Sequence, residues 1–112
     1  MVRVNTISSF RQSEITELLK NAQVKTRIPG LRILTAPSLL TEYSRILIIT
    51  PRRSGNAPQR NLIRRRIKSI FVEDNLFKNG FDFIVIVRRE GIETDFKTLK
   101  KLLDRTARLC HL

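Results

Sequence analysis

Two short aliphatic runs constrain the fold of this chain more than any other feature. Arg45 to Thr50 and Asp82 to Arg88 are apolar at consecutive rather than alternate positions, which is the pattern of strands covered on both faces. Central places in a sheet are expected for both. Each run is strand-sized and far short of the ~20 residues a membrane helix needs. Between them, Ala57 to Val72 has helical periodicity, so strand, helix and strand follow in order. An earlier helix is expected from Gln12 to Asn21, with Ile15, Leu18 and Leu19 at amphipathic spacing and Ser9 or Ser13 as its cap. Val24 to Thr26 reads as a short strand and Leu31 to Ala36 as a longer one with Arg32 on one face. Pro29 and Gly30 separate the two, and Pro37 closes the second. Asp95 to Leu109 is the last helix, with Phe96, Leu99, Leu102, Leu103 and Thr106 on one stripe. No repeat, low-complexity tract or linker interrupts this order. With 112 residues, the expectation is one domain, 1–112, of class α+β with a mixed central sheet.

Charge is concentrated in the middle of the chain. Lys and Arg number 22 against 10 Asp and Glu, a net charge of +12, so a polyanion is the expected partner. From Tyr43 to Val72 there is no acid, while Arg45, Arg52, Arg53, Arg60, Arg64, Arg65, Arg66 and Lys68 supply eight positive charges. The acids lie outside this stretch, and the flanks read as solvated surface. The amino-terminal residues, Arg3 and Asn5 among them, lack the apolar stretch of a signal peptide, which points to the cytoplasm. The single cysteine, Cys110, and single histidine, His111, are too few for a structural zinc site and read as incidental at a fraying end.

The segment from Thr50 to Phe71 places a strand, a turn and a cationic helix without a spacer. Gly55 and Asn56 tolerate positive φ and are expected to make the turn. Asn56 then caps the helix, Gln59 completes a capping box, and Pro58 is harmless in the first turn. A helix start beside Arg52 and Arg53 is a natural phosphate site. At 100° per residue from Arg60, Arg64 falls at about 40°, Lys68 at about 80°, Asn61 at about 100°, Arg65 at about 140° and Ser69 at about 180°. Leu62, Ile63, Ile67, Ile70 and Phe71 fill the opposite arc, interrupted by Arg66, whose stem can snorkel. Like charges at i, i+4 weaken an isolated helix, and tracking phosphates is the reason to keep them. No glycine-rich phosphate loop, nucleophile elbow or placed carboxylate pair accompanies this helix. Glu73 and Asp74 point apart on a helix end and read as a structural stop.

On Arg52, Arg53, Gly55, Asn56, Ala57, Arg60, Asn61, Arg64, Arg65 and Lys68, the chain resembles the protein component of bacterial ribonuclease P. The basic doublet, Gly-Asn-Ala, Arg-Asn and the Lys/Arg pairs follow at the family's spacing without a gap, and the strand Asp82 to Arg88 matches as well. The resemblance implies the order αβββαβα, with the basic helix making a left-handed crossover between parallel strands, where general chirality rules favour a right-handed one. It implies catalysis by an RNA subunit that uses Mg2+, with no cofactor held by the protein alone. It implies that the protein serves in 5′ maturation of tRNA by binding that RNA and the 5′ leader of precursor tRNA. Arg52, Arg53, Asn56, Arg60, Asn61, Arg64, Arg65 and Lys68 would then meet RNA. A cleft between sheet and first helix would take the leader, with Ile15, Leu19 and Arg32 as its candidates. No membrane and no obligate protein partner is implied. The chain departs from the family at Leu62, a usual Arg, at Pro51 and Ser69, where Ser and an acid are common, and at Ile15 and Leu19, which stand where Phe is frequent. Composition alone suits a ribosomal or ribosome-assembly RNA-binding protein equally well, and a nuclease acting alone less so. The spacing from Gly-Asn-Ala to Arg-Asn separates the first two.

Overall fold

The computed structural model describes residues 7–40 and 42–111. Its elements are α1 (Gln12–Asn21), β1 (Gln23–Ile28), β2 (Leu31–Pro37), β3 (Ile46–Ile49), α2 (Ala57–Glu73), β4 (Phe81–Val87) and α3 (Phe96–Leu109), with short 3-10 turns at Arg52–Ser54, Leu76–Lys78 and Arg89–Gly91. β1 and β2 form a hairpin closed at Gly30, whose φ of 80° puts it in the left-handed region that glycine occupies without strain. A side chain is excluded there for a second reason, since a Cβ would lie 2.2 Å from the backbone nitrogen of Gly91. The hairpin is bulged between Val24 and Thr26, which puts Lys25 outside the regular alternation.

The four strands lie in the order β1-β2-β4-β3. β1 and β4 each run antiparallel to β2, while β3 runs parallel to β4. β4 therefore holds a central place and β3 an edge, which corrects the expectation that both runs are central. Coverage of two faces says nothing about lateral neighbours: Ile46 and Ile48 contribute to one apolar layer and Leu47 and Ile49 to the other, yet β3 pairs on one side only.

The crossover α2 is left-handed, and two contacts of Phe83 establish it. Its N–H donates to the carbonyl of Arg45 at 2.9 Å, toward β3, while its ring meets Phe71 of α2 edge-on at 5.4 Å. For an L-residue with its side chain toward the viewer and the strand running upward, N–H and C=O point right. Seen from α2, β3 thus lies to the right of β4, and the chain passes from right to left. This is the uncommon hand for parallel strands.

Period-2 alternation divides the sheet into two layers. Leu31, Ile33, Phe83, Val85 and Val87 pack under Ile63, Ile67, Ile70 and Phe71 of α2 and Leu99, Leu102 and Leu103 of α3. The hydroxyls of Thr106 and Thr26 meet at 2.8 Å beneath α3. On the other face Leu18 of α1 packs on Ala36 and Ile84, whereas Leu34, Leu47, Ile49 and Ile86 remain half-buried. One face of the sheet is closed and the other is partly open.

Several local expectations are corrected. α1 is not capped by Ser9 or Ser13. Arg11 takes the cap position, and Glu14 reaches back to its N–H at 2.9 Å, the reciprocal half of a capping box. Leu62 and Phe96, both placed on apolar stripes, are 38% exposed; each lies at the margin of its stripe, away from the sheet. Near the carboxyl end the exposed His111 sets its ring edge-on to Phe81 at 5.7 Å, and Cys110 is half-buried. Burial pushes the Cys110 thiol pKa upward, opposite to a reactive cysteine. Glu73 accepts from Ser69 while Asp74 pairs with Lys100 of α3, so the two acids do point apart. Arg3 and Asn5 lie outside the described residues.

Candidate nucleic-acid interface

The turn that launches α2 is built differently from the sequence expectation. Neither Gly55 nor Asn56 has positive φ; Gly55 is fully extended, at φ 171° and ψ 176°, and Asn56 lies at φ −73°. The glycine is required by space, because a Cβ would come within 2.8 Å of both Ile92 and Gln59. The bend is made upstream, in the 3-10 turn Arg52–Ser54, where the buried Ser54 donates its hydroxyl proton to the carbonyl of Pro51. The capping box is as expected: the Gln59 N–H donates to Asn56 Oδ1 and the Asn56 N–H to Gln59 Oε1, each at 2.9 Å. Helix start and basic doublet are thereby held together at the carboxyl end of β3.

Along α2 the cationic side chains are partly fixed before any ligand arrives. Arg60 donates from Nε to the Gly55 carbonyl at 3.1 Å. Arg64 reaches Thr50 Oγ1 at 2.7 Å with one nitrogen and Asn61 with the other, which anchors it on the β3 side of the helix. Asn61 and Arg65 are exposed, and Arg60, Arg64 and Lys68 are half-buried. Asn61, Arg64, Arg65, Lys68 and Ser69 line one shallow concavity, so the predicted arc beyond Arg60 is brought together on one surface. Arg66 turns away from it and donates to the Thr94 carbonyl at 3.5 Å.

A second basin adjoins the helix start. Arg52, Arg53 and Asn56 line it with Gln59 and Arg89, and also with Glu90 and Glu93. Gln59 donates to Glu93 at 3.2 Å, so acids from the segment after β4 temper the positive field there. Arg88 and Arg89, which that segment also brings beside Arg53 and Ile86, were not among the predicted site residues. Their approach depends on the register of β4 against β2 and β3, which nothing local signals.

A second counted cation leaves the interface. Arg45 is 3% exposed, and its guanidinium donates to both oxygens of Glu14, at 3.3 and 2.8 Å, and to the Ser9 carbonyl at 2.9 Å. It also covers the Phe10 ring at 4.2 Å. With Arg66 turned toward Thr94 as well, the run from Tyr43 to Val72 offers six cations to that surface and not eight. The hydrogen bonds from Arg45 and from the Arg11 backbone hold the Glu14 carboxyl at a pKa of about 2. Beside this pair the Arg45 backbone N–H donates to buried Asp82 at 2.8 Å. Desolvation raises the Asp82 pKa despite three donors, the N–H groups of Arg45 and Leu39 and the Ser38 hydroxyl.

The predicted leader residues are not brought together in one concavity. Leu18, not Ile15 or Leu19, is the buried contact of α1; Ile15 is half-buried and Leu19 is 42% exposed. Arg32 is exposed on the open face, in a groove with Arg27, Pro29, Ile86 and Arg88. Two aromatics that sequence reasoning passed over, Phe10 and Tyr43, line a hollow at the amino end of α1 with Arg11, Ser13, Leu40 and Arg45. Among the described residues no group of three or more His, Cys, Asp or Glu is placed to hold a metal, and no helix is long and apolar enough to cross a membrane.

A four-stranded mixed sheet with a left-handed crossover helix, capped at Asn56 and cationic on its solvent face, defines a small α+β module. The chain belongs to the ribonuclease P protein component family: the family model described as ribonuclease P matches residues 9–110. The ribonuclease P protein component of Petrotoga mobilis is 42% identical over 57 residues, 50% of this chain and 48% of that protein. The one from Streptococcus mutans is 34% identical over 70 residues, 62% of this chain and 59% of that protein. The matches thus span about half to three fifths of these relatives' lengths. The structure of the Staphylococcus aureus RNase P protein superposes with a TM-score of 0.74 at 18% identity, covering 94% of this chain and 95% of that one. That likeness supports the fold alone.

Proposed function

We propose that this chain is the protein subunit of ribonuclease P, and that it binds the catalytic RNA and the 5′ leader of precursor tRNA to assist magnesium-dependent 5′ maturation. The observation that carries the reading is the α2 surface, where Arg60 and Arg64 are held in place by acceptors of the protein itself. Pre-positioned guanidinium groups lose little freedom on meeting phosphates, and Arg matches phosphate oxygens bidentately. Arg52, Arg53, Asn56, Asn61, Arg65 and Lys68 extend that surface. The leader would lie on the open face of the sheet, with Ile86 as floor and Arg32 at its margin, and Ile15 and Leu19 on the flanking helix. Mg2+ belongs to the RNA in this reading, and the protein lowers the concentration needed by neutralising phosphates.

Reconstitution with ribonuclease P RNA and precursor tRNA at low magnesium tests it. Addition of the protein should restore cleavage that the RNA performs alone only at higher magnesium. Cleavage by purified protein without RNA, or no effect on the RNA's magnesium requirement, overturns it.

A further inference from the structure

The flanks of the chain read as ordinary solvated surface, but the fold assembles a second cationic stripe from them. With Lys97 at zero on α3, Lys101, Arg105 and Arg108 fall at roughly 40°, 80° and 20°. All four are exposed, and within the described residues none of their side chains makes a hydrogen bond or ion pair. The stripe runs about 16 Å along the helix. It differs from α2 in a telling way, since Arg60, Arg64 and Arg66 have internal acceptors and these four do not.

The two stripes are separate surfaces. α2 and α3 meet along a seam where Lys100 bridges Asp74 and Asp104, at 2.5 and 3.9 Å. α2 turns its cationic arc away from that seam, toward β3, where Arg64 reaches Thr50. On α3 the stripe lies opposite Leu99, Leu103 and Thr106, which face the sheet. Asp74 and Asp104 pair with Lys100 in the seam; Asp104 also acts at longer range on Arg108, and Asp95 on Lys97, but among the described residues neither forms an ion pair with the stripe, whose four cations outnumber them.

We propose that the outer face of α3 is a second RNA-binding surface, which takes the phosphate backbone of a duplex segment independently of α2. The stripe has no aromatic or aliphatic side chain within its arc, so it has no platform for unstacked bases, as a single-strand site needs. It presents a straight row of charges to a helix whose bases are hidden and whose phosphates are not. An anionic membrane fits less well, because a helix lying in a bilayer surface needs its apolar face free, and that of α3 is buried. The inference does not rest on the ribonuclease P reading, only on the charge and geometry of α3.

The test uses a fully paired RNA duplex of about 20 base pairs, longer than the ~16 that a duplex-binding domain spans. Its affinity for the full chain is measured across salt, with anionic phosphatidylserine vesicles as a second probe. Replacing Lys97, Lys101, Arg105 and Arg108 together by Gln should flatten log K against log salt by about three units, at 0.7 to 0.9 per phosphate released. The loss should add to that of a variant with Arg64, Arg65 and Lys68 replaced by Gln. Restoring charge with Arg at Lys97 and Lys101 should recover about half of it. Circular dichroism verifies the fold, which these exposed side chains do not hold. An unchanged slope in the folded variant, no residual slope once α2 is neutralised, or a loss of vesicle binding with duplex binding intact each overturns the proposal.

Discussion

Glu14 Oε2 lies 2.8 Å from Arg45 Nη2, and this pair joins α1, on the open face, to the entrance of the edge strand. Arg45 cannot regain water if the partner is removed, whereas Glu14 can. Breaking a buried pair from the side that leaves a buried charge is the damaging direction. Glu14→Gln should therefore lower the melting temperature more than Arg45→Met does. The pH dependence has a definite sign. The Glu14 pKa is depressed to about 2 from 4.5, so its stabilisation is present above about 4.5 and is lost as pH falls toward 2. Acid titration followed by circular dichroism should show this limb in the parent and not in Glu14→Gln.

Asp82 works in the opposite direction. Its pKa is raised by burial, so the folded state holds its proton more tightly than the unfolded chain. That contribution is complete below 3.8, the ordinary value, and is lost as pH rises through the raised one. Asp82→Asn should remove this rising-pH loss, visible as a flatter stability profile above pH 4. Asp82→Ala leaves the Arg45 N–H buried without its acceptor, which costs about 1 to 3 kcal/mol. Chemical denaturation at several pH values separates the two variants.

Binding of ribonuclease P RNA through α2 should fall steeply with salt. Arg64→Ala, Arg65→Ala and Lys68→Ala combined should reduce the slope of log K against log salt by about two to three units. Ile63 and Ile67, which hold α2 to the sheet, face away from all three, so the melting temperature should change little. An unaltered slope in a folded triple variant would mean that this face meets something other than phosphate.

Asn56 has two separable roles. Asn56→Ala removes the acceptor of the Gln59 N–H and should cost about 1 kcal/mol of stability. Asn56→Asp keeps the cap, but adds negative charge beside Arg52 and Arg53. Stability should then be retained while RNA affinity falls. Equal loss of affinity in both variants would assign Asn56 to the cap alone.

The sequence was most informative where periodicity and capping act locally. The order of elements and the Asn56–Gln59 box were legible because each depends on residues within one turn or one strand. What escaped it depends on contacts made far along the chain. An apolar run cannot disclose its neighbours, so β3 read as central. Arg45 looked like its fellow cations because Glu14, 31 positions away, is what buries it. Gly55 was credited with a φ it does not adopt, since the crowding that demands a glycine comes from Ile92. On α2 the cationic surface was legible, whereas Arg88, Arg89 and the α3 stripe required the fold to bring them into view.

The leader cleft gives the sharpest separation between packing and recognition. Leu18 and Leu19 are adjacent on α1, yet one is 1% exposed and the other 42%. Leu18→Ala should destabilise by about 2 to 5 kcal/mol, as buried leucines do. Leu19→Ala should change stability by about 0.5 kcal/mol or less, as surface substitutions do, and half-buried Ile15→Ala should fall between them. If α1 flanks the leader, Leu19→Ala and Ile15→Ala should weaken binding of precursor tRNA carrying a leader and leave mature tRNA binding unchanged. An aromatic at these positions supplies about 1 to 3 kcal/mol per stacked base, so Leu19→Phe should strengthen leader-dependent binding by roughly thirtyfold, near the middle of that range. Affinities for tRNA with and without the leader, measured on the reconstituted complex, decide it. A leader preference untouched by all three substitutions would move the leader away from α1, toward the groove of Arg27, Arg32 and Arg88.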